Sequence, residues 1–324
     1  MSVHGILAAD LALDQGPEYA PWTAICPAPE DFVGMPLLWE LELQALLPLR
    51  CRELLAKQKA KFARDWAHVA AAFPELGGTG GEGRDRYRYA WLLVSTRTFY
   101  YLNAALKRRR GTTKDNHLAL QPIADLFNHG DGEDGGEGGG GGCCHVAFGA
   151  GGFSFRATAP YKKGDEVKIC YGRHGGDFLL VEYGFIMSDN FWDETVLDEV
   201  VLERLNDEQR ERLDEAGFLG GYVLDRETVC HRTQVALRLL CCKIGEWMKF
   251  VSGADDGEAS QEAVHELLLE LLRQFRMRAE SRIEQIRGLE VAEPQQRVML
   301  IERWKQIIRL LDMRITSLEQ EQRI

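Results

Sequence analysis

Two long apolar stripes near the end of the chain leave little choice of secondary structure there. Val264, Leu267, Leu268, Leu271, Leu272, Phe275, Ala279, Ile283 and Ile286 recur at i, i+3, i+4 and i+7. After Pro294 the pattern repeats in Val298, Ile301, Trp304, Ile308, Leu311, Ile315 and Leu318. A stripe with this period cannot alternate across a sheet, and it needs an apolar partner along its whole length, so helix must pack on helix. Helical character begins near Leu197, includes Asn206 to Leu213, and predicts one further helix over Val229 to Val251. Residues 191–324 are therefore expected to be all-α, either a separate helical domain or a helical cap.

The front of the chain is mixed. Ile6, Leu7, Leu11 and Leu13 predict a short helix, followed by irregular chain through Pro17, Pro21, Pro27 and Pro29. Leu38, Leu41, Leu46 and Leu47, then Phe62, Trp66 and Val69 opposite Lys57, Lys59, Lys61 and Arg64, predict two or three amphipathic helices. Three short β-like runs follow at Cys144 to Phe148, Phe153 to Ala157 and Val167 to Tyr171, with Pro160 and Gly164 marking a turn between the last two. Short strands followed by long helices give an α+β class.

Composition narrows the partners. The 324 residues carry a net charge of −11, which disfavours general affinity for nucleic acid or an anionic membrane and suits a basic protein partner. No apolar run approaches the roughly 20 residues of a membrane span, and no basic segment followed by an apolar core opens the chain. The eight cysteines show no CxxC spacing, so reduced thiols in a cytoplasmic or nuclear compartment are expected, without a zinc site. Gly77 to Gly83 lacks the Gly-Lys-Ser/Thr ending of a phosphate loop and reads as a surface loop. Lys107 to Arg110 reads as a solvated turn, and the Gly/Asp/Glu run at 130–142 as a flexible loop.

Against this background Gln121 to His129 stands out. Ile123, Ala124, Leu126 and Phe127 are interleaved with Asp125, Asn128 and His129, and polar groups in an apolar segment require partners. Protein groups, a ligand or a metal could supply them. Arg97, inside the aromatic run Tyr87 to Tyr101, raises the same question. Tyr171-Gly172 and Tyr183-Gly184 place a glycine after each tyrosine, where backbone can approach closely.

Leu120 to His129 (LQPIADLFNH), Tyr161 to Gly172 (YKKGDEVKICYG) and Asp177 to Ile186 (DFLLVEYGFI), preceded by Ser95 to Phe99 (STRTF), form an ordered series. In that order they resemble the SET-domain protein methyltransferases of the subgroup typified by the plant Rubisco large-subunit lysine methyltransferase. The resemblance implies small SET-type β-sheets with a helical insertion, at about residues 20–105 here, within a SET domain over 1–190, then a helical substrate-binding-like domain over 191–324. It implies S-adenosylmethionine as cofactor and a lysine of a non-histone protein as acceptor, with ribosomal and translation proteins among the family's substrates. It assigns Arg97, Asp125, Leu126, Phe127, Asn128, His129, Gly184 and Phe185 to the cofactor, Tyr183 to catalysis and Tyr171 to the lysine channel.

One family element has no counterpart. The strand and G-x-G turn that open the family's SET domain do not precede Met1 to Leu13 (MSVHGILAADLAL), which reads as the helix following them. The expectation is an N-terminally incomplete SET domain. It leaves two functional alternatives: a lysine methyltransferase, or a catalytically inactive SET-like module that binds a partner protein.

Overall fold

In the computed structural model, residues 1–13, 16–78, 81–101, 117–130, 143–149 and 152–322 are described. Helix α1 (Val3–Leu13) is short, and its buried positions are small: Gly5, Ala8, Ala9 and Ala12, beside His4. Small residues let a helix lie close to its neighbour, here α6 (Gly81–Arg97). Asp65, buried, accepts from the Ser2 backbone N–H at 3.0 Å and the Ser2 hydroxyl at 2.7 Å, fixing the start of α1. The His4 ring stacks on Trp91 at 4.2 Å.

Between them lie α2 (Ala20–Thr23), two 3-10 turns, α3 (Leu41–Ala45), α4 (Leu49–Ala72) and α5 (Pro74–Gly77). Phe62 and Val69 of α4, Leu76, and Tyr87, Trp91 and Val94 of α6 form one apolar cluster with α1. α6 begins at Gly81, so Gly81 to Gly83 are helical rather than loop; 79–80 fall outside the described residues. Burial of Tyr87, Ala90, Trp91, Leu93 and Val94 outweighs the poor helix propensity of two glycines, which costs only about 1 kcal/mol each. The Lys107 to Arg110 run and all but Gly130 of the expected 130–142 loop also lie outside the described residues.

β1 (Thr98–Tyr100) pairs antiparallel with β2 (Leu118–Leu120), placing Phe99 opposite Ala119. A four-stranded sheet follows from β3 (Asn128–His129), β4 (Cys143–Gly149), β5 (Gly152–Arg156) and β6 (Lys168–Ile169), in the order β3-β6-β4-β5. β6 runs parallel to both β3 and β4, aligning His129, Ile169 and Cys144 across three strands, and β4 and β5 form a hairpin. The three β-like runs of the sequence are thus β4, β5 and β6.

After α7 (Gly176–Tyr183) come β7 (Glu194–Val196), α8 (Asp198–Val201), α9 (Asp207–Glu215), β8 (Val223–Asp225), α10 (His231–Cys241), α11 (Ile244–Val251), α12 (Gln261–Arg287) and α13 (Pro294–Glu321). The single helix expected over 229–251 is two. Cys242 is extended, with φ −108° and ψ 162°, and Glu246 Oε2 accepts from the Lys243 N–H at 3.3 Å to cap a new helix. α12 packs on α13, and α10 on α12. The fold is α+β, with small sheets and a mainly helical C-terminal region; the stretch expected to be all-α also holds the antiparallel pair β7 and β8, with Thr195 opposite Leu224, too short for alternation to show in the sequence.

The chain divides into two compact units: Met1–Leu38, Leu54–His174 and Val181–Gly184 make the first, and Trp39–Glu53, Gly175–Leu180 and Phe185–Ile324 the second. The second is centred on Arg303 of α13, which has no exposed side-chain surface. Its guanidinium bonds Asp177 and Asp193, both at 2.7 Å, Gln306 at 3.0 Å and the Glu194 carbonyl at 3.0 Å. Burial alone would favour losing its proton, but the two carboxylates more than offset that and raise its pKa. Trp304 beside it donates to the Leu46 carbonyl at 2.9 Å. All eight cysteines are free, no cluster of metal-binding side chains occurs among the described residues, and none of the described helices is long and apolar enough to cross a membrane.

Candidate active site

The polar groups of Gln121 to His129 are sorted by local geometry. Ile123 has φ +78°, a region that a β-branched side chain rarely enters, and its side chain is 75% exposed. The turn it starts carries Asp125 inward, where the side chain has no exposed surface. Asp125 Oδ2 accepts from Trp22 Nε1–H at 2.7 Å and lies 3.4 Å from Arg97 Nη1. Arg97, the last residue of α6, also donates from Nη1 to the Asp125 carbonyl at 2.8 Å. Asp125 Oδ1 and Arg97 Nε have no hydrogen-bond partner among the described residues.

Strand alternation separates the next two residues. Asn128 is exposed, and its Nδ2 donates to Glu166 Oε1 at 2.6 Å. His129 is buried, and its Nδ1 accepts from the Tyr171 backbone N–H at 3.1 Å. Phe127 stacks on Phe155 at 4.8 Å, and its carbonyl accepts from the Tyr171 hydroxyl at 2.7 Å. The Tyr171 ring therefore sits 5.1 Å from His129 and 5.0 Å from Tyr183, centroid to centroid. His174 lies 6.5 Å from Tyr183.

Burial pushes both tyrosine hydroxyls up to about 12; for Tyr171 the Arg97 charge opposes this and Asp125 adds to it, and for Tyr183 the neighbouring Tyr171 and Glu182 add to it. Both stay protonated at neutral pH. Glu182 is itself raised by burial, against Lys61 and a hydrogen bond from Gln58. Gly184 has φ +77°, and a Cβ there would stand 2.7 Å from Met35 Sδ. A side chain on Gly172 would collide with the His174 ring.

The structure thus brings together Arg97, Asp125, Phe127, His129, Tyr171, Tyr183 and Gly184 in the first unit. Leu126 is 48% exposed, Asn128 points to Glu166, and Phe185 falls in the second unit. Trp22 and Cys26 escaped the sequence reading. Cys26 lies near Arg97 and Asp125, and burial raises its thiol pKa against the pull of Arg97. Both sit in a proline-rich stretch where no period marks an inward face. Electron-rich ring faces beside a buried carboxylate with a bare oxygen suit a cationic ligand that carries N–H donors.

Solved structures share the fold. A SET domain of LSMT bound to lysine and AdoHcy aligns with a TM-score of 0.53 at 15% identity, over 98% of this chain and 74% of that one. A structure of Rubisco LSMT bound to sinefungin and monomethyllysine gives 0.55 at 16%, over 98% and 73%. Among sequences, the ribosomal lysine N-methyltransferase set11 of Schizosaccharomyces pombe is 25% identical over 285 residues, 84% of this chain and 68% of the relative. The model of the ribosomal lysine N-methyltransferase 2 C-terminal domain matches residues 193–317. The chain has the fold of these SET-domain structures and is similar in sequence to ribosomal lysine N-methyltransferases. Ribosomal lysine N-methyltransferase 2 of Saccharomyces cerevisiae is 22% identical to this chain over 299 residues, 79% of it and 59% of the relative. SET domain-containing protein 4 of Homo sapiens is 25% identical over 240 residues, 67% and 51%. The chain spans about half to two thirds of the length of these curated relatives.

Proposed function

We propose that this chain transfers the methyl group of S-adenosylmethionine to the ε-amine of a lysine in a non-histone protein, a basic ribosomal protein being the favoured class. The observation that carries the reading is the pairing of Tyr171 with Tyr183 at 5.0 Å, next to His129 and the Asp125 carboxylate. The ribosomal assignment rests on the names of the yeast relatives and on the net charge of −11, which favours a basic partner.

S-adenosylmethionine brings an electrophilic methyl on a sulfonium. The chain's residues need only bind, orient and exclude water, because direct displacement uses neither acid nor nucleophile from the protein. Arg97, Asp125, Phe127, His129 and Gly184 hold the cofactor, with Leu126, Asn128 and Phe185 assigned to it by the family motif. The faces of Tyr171 and Tyr183 attract the cationic groups, and their surroundings desolvate the lysine, so it loses its proton more readily. The Tyr183 hydroxyl, neutral below about 12, orients the amine. The Tyr171 hydroxyl is committed to the Phe127 carbonyl, so Tyr171 contributes chiefly its ring.

Calorimetry with S-adenosylmethionine, paired with transfer of labelled methyl to isolated ribosomal proteins, tests the reading. Saturable binding and methyl-lysine formation are expected. Absence of both would leave the inactive interaction module as the account of this chain.

A further inference from the structure

Asp125 is clamped on one oxygen and bare on the other. Oδ2 takes the Trp22 indole N–H at 2.7 Å, with Arg97 Nη1 farther away at 3.4 Å, while Oδ1 belongs to a side chain without exposed surface and has no partner among the described residues. Leaving a buried carboxylate oxygen bare is costly, and a ligand donor would remove that cost. We propose that Trp22 is a positioning residue: its indole pins Oδ2 so that Oδ1 stays directed at an N–H donor of the bound cofactor. The inference rests on the function proposed above and adds to it a residue outside every motif that carried the resemblance.

Trp22 is well placed for the task. It is 7% exposed, so its ring cannot swing into solvent without losing most of its packing. Pro21 precedes it at the start of α2, fixing one backbone dihedral next to the indole. Without the indole, the carboxylate can turn about its last bond. Arg97 Nε, itself without a partner among the described residues, could then take an oxygen, and Oδ1 would no longer be reserved. The negative charge selects the donor, since a charged N–H pairs more strongly with a carboxylate than a neutral one. Of the donors on S-adenosylmethionine, the α-ammonium of its methionine part fits best.

Three variants of the full chain test this: Trp22→Phe, Asp125→Asn and the pair together, each checked for folding by circular dichroism and melting. Calorimetry with S-adenosylhomocysteine, which keeps the α-ammonium, should show about tenfold weaker binding for Trp22→Phe, the scale of one hydrogen bond to a charged group. Because Trp22 acts through Asp125, the double variant should bind no more weakly than Asp125→Asn alone. Unchanged binding in Trp22→Phe, or losses that multiply in the double variant, would overturn the proposal. If Trp22→Phe melts, benzothienylalanine incorporated at position 22 keeps the ring shape without the N–H and is subject to the same outcomes. A second readout needs no ligand. The indole N–H resonance of Trp22, identified by its loss in Trp22→Phe, should move in Asp125→Asn; an unmoved resonance would refute the clamp itself. If that resonance moves but the unmodified chain binds no S-adenosylhomocysteine, the proposed function fails, and the ligand half of this inference fails with it.

Discussion

Tyr171 and Tyr183 give the residue scale its clearest pH signature. Their hydroxyls ionise near 12 in the fold against an ordinary value of 10. Below pH 10 both folded and unfolded chains keep these protons, and the stabilisation is fully present. From pH 10 to 12 the unfolded chain ionises first, so stability falls as pH rises. Denaturation midpoints measured across that window should drop, and drop less in a chain carrying both Tyr→Phe changes; an equal drop would assign the effect elsewhere. Tyr183→Phe should lower the rate of methyl transfer by about a hundredfold, the scale of losing one oriented polar group at a reacting centre, with cofactor affinity retained. Turnover equal to the unmodified chain would remove Tyr183 from catalysis. Ile123, at φ +78° and 75% exposed, holds strain that glycine would release, so Ile123→Gly should stabilise the fold by about 1 kcal/mol in urea titration. At this scale the sequence was informative where polar residues interrupt an apolar run, as at Asp125 and His129. It was silent on Trp22, whose partner lies 103 positions away and whose neighbours have no period. It also could not show that the Asn128 amide is tied to Glu166, because strand alternation becomes visible only once β3 is paired.

Among the elements, the long helices were legible because burial imposes a stripe; α12 follows its stripe closely, whereas α13 buries a face shifted to Leu300, Trp304, Ile307, Leu311 and Leu318 and leaves Val298 65% exposed. Short elements were not. β1, β3 and β6 have two or three residues each, too few for alternation to register, and their pairing is decided by tertiary contact. The break between α10 and α11 does have a local sign, Glu246 three residues after Lys243, but the apolar stripe running through it hid the cap. Arg303 shows the other limit: on sequence it is one charge among many on α13, yet it is wholly buried between Asp177 and Asp193. Arg303→Met should cost about 3–5 kcal/mol, because it strands two buried carboxylates. A urea midpoint near that of the unmodified chain would show that those carboxylates find other partners.

For the whole molecule, charge is distributed unevenly. By sequence, the second compact unit holds 32 acidic against 21 basic residues, and the first holds 18 of each, so the entire −11 resides in the unit that contains the long helices. Nothing along the chain announces that 39–53 and 175–180 belong with that unit, since membership follows from packing rather than from order. Salt should therefore raise KM for a basic protein substrate while leaving kcat nearly unchanged, as expected of screened, surface-charge-assisted association. A KM independent of ionic strength would exclude that role for the acidic surface. The central claim is chemical, and one measurement reaches it most directly. The chain is incubated with methyl-labelled S-adenosylmethionine and ribosomal proteins, and the products are mapped by peptide mass spectrometry. The account predicts labelled methyl on lysine, abolished or nearly so in Tyr183→Phe; it is contradicted if no lysine acquires the label, or if Tyr183→Phe labels as well as the unmodified chain.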